Sequence, residues 1–153
     1  MMGNPYYFTE KTMKRFTFLA LLLAGVTGNA LAESECMSNF SYEGSNFKGR
    51  TFRTKAFVGN VKLPDAMKRA ARHISLNGFQ INSSDLNLGI ISASQPVSYS
   101  QGKTVPLSVS FEEEKGGVLM NFSYSTSGGV TSPVDAVQKF FCAVTAEVEG
   151  KKK

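Results

Sequence analysis

His73 is the sole histidine, and Cys36 and Cys142 are the two cysteines. A zinc centre would have to draw on both thiols, that imidazole and a carboxylate. Their spacing fits no metal-ligand or phosphate-cradling motif. Thiol redox catalysis is disfavoured because no Cys-x-x-Cys is present. Hydrolysis would have to use His73 with Asp65, Asp85 or Asp135 and a serine, and no nucleophile–base arrangement is visible among them. His73 follows Arg72 near the end of a helical pattern, where an imidazole interacts favourably with the helix dipole. Glu112-Glu113-Glu114 precedes Gly116-Gly117 and reads as a solvated hairpin turn rather than a carboxylate cluster for metal. The expectation is a protein that is not an enzyme, with no catalytic residues, no metal and no cofactor.

The two cysteines gain meaning from the leader. Met13-Lys14-Arg15 precedes an apolar run from Phe16 to Val26, and Ala30-Leu31-Ala32 follows. A basic start, a short apolar core and an Ala-x-Ala end make a secretory signal peptide over residues 1–32, with Met13 as the expected true start. The run is too short to cross a bilayer, which takes about 20 residues. Cys36 follows Glu33-Ser34-Glu35, which does not suit a lipid-modified cysteine, so no transmembrane segment or lipid anchor is expected after cleavage. The Lys-Arg start points to a bacterial, periplasmic or secreted product. There a disulfide between Cys36 and Cys142 is permitted.

Net charge is +5 at pH 7. Removing the leader leaves 14 basic and 11 acidic side chains, and the tail at 151–153, Lys151 to Lys153, accounts for that excess. The body is close to neutral, so nucleic acid is not an expected partner. Lys48, Arg50, Arg53 and Lys55, with Lys68, Arg69 and Arg72, could offer a patch for anionic lipid or sugar. Arg50 and Arg53 differ in parity, however, so on a regular strand they face opposite sides.

The elements that must position these residues follow from periodicity. Residues 33–46 are polar and read as an N-terminal arm before a single α+β domain over 47–150. Phe52, Thr54, Ala56 and Val58 alternate with Arg53 and Lys55, the pattern of a half-buried strand. Leu63-Pro64-Asp65 opens a helix whose apolar stripe holds Ala66, Met67, Ala70, Ala71 and Ile74, and Asn77-Gly78 ends it. Phe79 and Ile81 start a strand, Asn82 to Asp85 read as a turn, and Leu86 to Ser94 as the next strand, with a bulge at Gly89. Val105 to Phe111 and Val118 to Tyr124 alternate cleanly. Ser132-Pro133 reads as N-cap and first residue of a last helix carrying Val137, Phe140, Phe141, Val144 and Val148 on one face. Cys142 lies about 140° from Val137, so the arm is expected to cross the outer side of that helix. The fold class is α+β: a two-layer sandwich, an antiparallel sheet of about five strands with two helices on one face, in the order β-α-β-β-β-β-α.

From Leu63 to Ala93 the skeleton is Leu-Pro-Asp-Ala-Met, then Asn-Gly-Phe-Gln-Ile, then Asp-Leu-Asn-Leu-Gly-Ile-Ile-Ser-Ala. This resembles the helix-grip, TBP-like domains of the BamC family, exported lipoproteins of the outer-membrane barrel assembly machine. The resemblance implies a fold and protein binding at the envelope, and supplies no catalytic residues. Membership of that machine is not expected, since BamC has two such domains and a lipid anchor. The functional expectation is an exported, non-enzymatic domain that binds an envelope protein or other envelope component through its sheet face or an edge. Phe47, Phe57 and Tyr99 fall outside the inward sets and could line a groove. The alternative is a carrier of a small apolar or lipidic ligand, held in a cavity lined by Phe52, Phe79, Phe111 or Phe122.

Overall fold

The structure, a computed structural model, describes residues 31–97 and 102–150. The leader up to residue 30, Tyr99 and the lysine tail lie outside them.

The clean alternation of the C-terminal half builds the centre of the sheet. β5 (Thr104–Glu114) and β6 (Gly117–Ser125) pair in register around Lys115-Gly116, with Val109 opposite Phe122 and Phe111 opposite Met120. β2 (Gly49–Gly59) pairs with the far side of β6, with Phe52 opposite Tyr124. β4 (Ile90–Pro96) pairs with β5, and β3 (Gln80–Asp85) with β4. A short β1 (Ser41–Ser45) pairs with the first half of β2. The sheet thus has six strands in the order β1-β2-β6-β5-β4-β3, all antiparallel. That is one strand more than expected.

Helices cover one face. α2 (Leu63–Leu76) carries the chain from β2 to the opposite edge, and its stripe of Ala66, Met67, Ala70 and Ile74 is buried, as its periodicity requires. α3 (Val134–Glu149) buries Val137, Phe141, Val144 and Val148 against the same layer. Arg69 of α2 donates from Nη1 to the Val148 carbonyl at 2.8 Å, satisfying one of the last carbonyls of α3 and complementing its negative end. The inward residues of the strands join these side chains in one core that includes Phe52, Ile91, Leu107, Val109, Met120 and Phe122.

The segment expected to be a polar arm is instead structured. α1 (Leu31–Ser38) packs beside α3 and on β2, making a third helix. β1 reaches only residues 49–53 of β2, which leaves the later half of that strand with a free edge. α1 and its exit cover it: the Phe57 amide donates to Glu35 Oε2 at 3.1 Å, and Asn39 Nδ2 donates to the Lys55 carbonyl at 3.1 Å. Unpaired strand groups are thereby satisfied by a helix rather than by another strand. The expected cleavage point, Ala32, lies in the first turn of α1, 2% exposed.

Cys36 and Cys142 are bonded, with Cα atoms 5.5 Å apart. The first segment does not cross the outer side of α3, however. Cys142 is 1% exposed because α1 lies against that flank, so the buried arc of α3 widens to take in Cys142 and Thr145.

Local chemistry explains the other departures. Asn82 to Asp85 lie within β3, and the turn comes later, where Asp85 Oδ1 accepts from the amides of Asn87 and Leu88 at 2.9 and 3.0 Å. Such an Asx turn needs the aspartate just before the reversal. The strand bulge falls between Ile81 and Ser83 of β3 and not at Gly89. Gly89 instead ends the turn with φ +62°, where a Cβ would stand 2.4 Å from the Phe111 carbonyl oxygen. Gly116 is equally left-handed, at φ +89°, with nothing within 4 Å of a Cβ. Gly89→Ala is expected to cost about 3 kcal/mol and Gly116→Ala about 1 kcal/mol, read from urea midpoints at constant slope. Equal costs would show that the close approach to Phe111 does not constrain the turn.

Candidate functional site

Ser132 was expected to cap α3. The N-cap position is taken by Pro133, at φ −59° and ψ 131°, and no side chain caps the helix. Ser132 turns instead toward the sheet, where its Oγ lies 3.2 Å from the Tyr124 hydroxyl. Tyr124 is the last inward residue of β6, and both side chains are buried, at 6% and 9% exposure. A tyrosine at the end of an apolar stripe needs a partner for its hydroxyl, and the loop after β6 supplies one.

This pair sits at one end of the sandwich, where the layers part. A cleft of about 270 Å³ opens there between Phe79, the start of α3 and the end of β4. Its apolar wall is Phe79 stacked on Phe140, with ring centroids 5.0 Å apart, together with Val137 and Pro133. Phe79 also meets Tyr124 edge-on at 6.1 Å. Asn77 and Gln95 bring two amide side chains. A second hollow of about 410 Å³ continues past Gln95, Tyr124, Thr131 and Ser132 to Val97, Val105 and Val130. No charged side chain belongs to either lining among the described residues. The uncapped first turn of α3 adds the positive end of a helix dipole at Pro133 and Ala136.

The fold brings few of the sequence candidates together. Of the four phenylalanines expected to line a cavity, Phe79 lines the end cleft; Phe122, 2% exposed, lines a third hollow of about 290 Å³ with Arg53, Thr54 and Lys55, and Phe52 and Phe111 are core residues that line none of the three. Phe47 is 93% exposed in the turn before β2, whereas Phe57 is half-buried near the other end of that strand, so they form no shared groove. His73 lies in the last turn of α2, and no ion pair joins it to a carboxylate among the described residues. Asp65 and Asp135 occupy the first turns of different helices. Glu112 to Glu114 end β5, and no cluster able to hold a metal occurs among the described residues.

Of the candidate basic residues, Arg53 and Lys55 line one hollow together. Arg53 pairs with Glu43. Arg50, of opposite parity, places its guanidinium 5.5 Å over the Tyr42 ring, and Arg69 is engaged by α3. No described helix is long and apolar enough to cross a membrane.

Sequence reasoning placed Tyr124, Val137 and Phe140 in the right elements but did not assign them to a site, and it read Ser132 as the helix cap. The available signal was Tyr124 itself, a hydroxyl ending an apolar stripe just before a Ser/Gly loop.

No family model and no curated protein matches the sequence. Several solved structures are similar in chain path. They include CalU16 from Micromonospora echinospora, with a TM-score of 0.43 and 8% identity over 73% of this chain and 98% of that one. EF2215, a conserved protein of unknown function from Enterococcus faecalis, has a TM-score of 0.46 and 12% identity, covering 77% and 81%. Ara h 8.0201 has a TM-score of 0.39 and 14% identity, covering 67% and 96%.

Proposed function

We propose that this chain is an exported, non-enzymatic binding domain whose end cleft takes a small apolar ligand. The cleft carries the proposal: about 270 Å³ open to solvent, walled by the Phe79–Phe140 stack and Val137, with a few polar groups in reach. An apolar hollow with sparse, convergent polar groups is the usual form of a small-molecule site. Export rests on the leader, the Ala-x-Ala end and the bonded cysteines, which suit an oxidising compartment. Mass spectrometry of protein recovered from a bacterial envelope under non-reducing conditions reads the cut and the bridge together.

N-phenyl-1-naphthylamine, a neutral apolar dye, tests the cleft. Its fluorescence is expected to rise on binding the wild-type chain. Ala136, an exposed residue of α3 on the lining, offers a block. Ala136→Trp is expected to weaken the dye by more than about tenfold with Tm unchanged within about 2 °C. Equal binding by both chains would place the dye elsewhere and remove the proposal.

A second reading, docking of an envelope protein, has its own observation. The β3–β4 turn exposes Leu86 at 49%, Leu88 at 69% and Ile90 at 36%, beside the unpaired edge of β3. The resemblance of the Leu63 to Ala93 stretch to BamC domains, which implies protein binding, supports this reading. Crosslinking from Leu88 in intact envelopes tests it, and no specific adduct would count against it.

A further inference from the structure

Two hydroxyls hold two hydrogens, and a bond between them uses one. Tyr124 and Ser132 are both at least nine-tenths buried and are bonded to each other at 3.2 Å. Neither hydroxyl makes a second hydrogen bond among the described residues. One O–H is therefore left to donate, and both residues belong to the lining of both hollows. In a hollow open to solvent water can take that O–H, so a ligand that displaces the water must offer an acceptor in its place or lose a hydrogen bond.

The rest of the lining sets what carries that oxygen. The walls are the Phe79–Phe140 stack, Val137 and Pro133, which favour an aromatic or otherwise apolar body. No lysine, arginine or histidine stands in the described lining to neutralise a carboxylate. The one acid nearby, Asp135, is exposed and pairs with Lys139 on the outer side of α3 at 3.8 Å. The dipole of α3 is a partial charge, suited to an electron-rich carbonyl and weaker than the full cation that an anion entering an apolar cleft requires.

We propose that the ligand is an uncharged, apolar-bodied molecule with a hydrogen-bond-accepting oxygen, of the aryl or alkyl ketone, ester or ether class, and that the Tyr124–Ser132 hydroxyl pair holds that oxygen. This rests on the end cleft being the binding site. Either single substitution leaves one hydroxyl and therefore one donor, so Tyr124→Phe/Ser132→Ala is the decisive variant.

Three probes of one shape separate the outcomes: 1-acetonaphthone, 1-ethylnaphthalene and 1-naphthoate, titrated against 15N-labelled chain with amide shifts of the lining as the readout. In the wild type the ketone is expected to bind about fivefold tighter than the hydrocarbon, the worth of one net hydrogen bond, and tighter than the anion. In the double variant the ketone is expected to fall to the hydrocarbon's affinity while the hydrocarbon is unchanged. Equal binding of ketone and hydrocarbon by the wild type overturns the oxygen assignment and leaves the cleft reading standing. The same holds if the double variant keeps the ketone preference, or if naphthoate binds tightest. If none of the three moves the lining amides, both fall. Should the double variant not fold, the wild-type comparison alone decides.

Discussion

Replacing both cysteines, Cys36→Ala with Cys142→Ala, is expected to lower the unfolding free energy by about 4–5 kcal/mol. The bridge closes a loop of 106 residues. In the chain-entropy account, cutting the link returns to the unfolded chain the conformational entropy that the closed loop had removed. A domain of this size has about 5–15 kcal/mol in total, so the change removes about a quarter or more. The apparent Tm should fall by about 15 °C. Both sulfurs are buried, with the residues at 0% and 1% exposure, so the folded chain should also resist dithiothreitol until denaturant is added. Guanidinium titrations of the oxidised chain and the double variant measure the loss directly. A loss under about 1 kcal/mol would show that the unlinked chain keeps its ends together without the bond.

The largest effect of a single substitution is expected at Phe141. Its side chain is fully buried. Its ring stacks on Phe122 of β6 at 5.0 Å and meets Phe40, after α1, and Phe140 each at 6.1 Å. It thus links the sheet, the last helix and the exit of the first. Phe141→Ala is expected to cost about 3–5 kcal/mol through lost burial and an unfilled cavity. Phe47→Ala removes the same atoms from a residue 93% exposed and is expected to change stability by less than about 0.5 kcal/mol. Equal costs for the two would contradict the burial reported for them.

The contrast between these two phenylalanines shows where the sequence could be read. Phe141 belongs to a stripe at helical spacing and was assignable to a core from periodicity. The same held for β2, β5, β6 and α2, each with a wide apolar face. α1 escaped notice because it buries only Ala32 and Cys36 among its described side chains, four residues apart, too narrow a stripe to distinguish from a polar loop. β1 and β3 are edge strands whose residues, Ser-Tyr-Glu-Gly-Ser and Gln-Ile-Asn-Ser-Ser-Asp, bury nothing fully, so alternation had nothing to mark. The cleft was illegible for a different reason. Phe79, Gln95, Tyr124, Ser132 and Phe140 come from five separate stretches, and only the crossing of α2 to the far edge brings the first of them to the last.

The contact of α1 with α3 bears on how the molecule is made. A polypeptide grows from its amino end, and here the earliest described helix rests on the latest one. Neither the flank of α1 nor the apolar layer beneath α3 has a cover until nearly the whole length has emerged. Cys36 must therefore wait for Cys142 while the chain between them is made. The bridge itself can close only after the last helix has emerged.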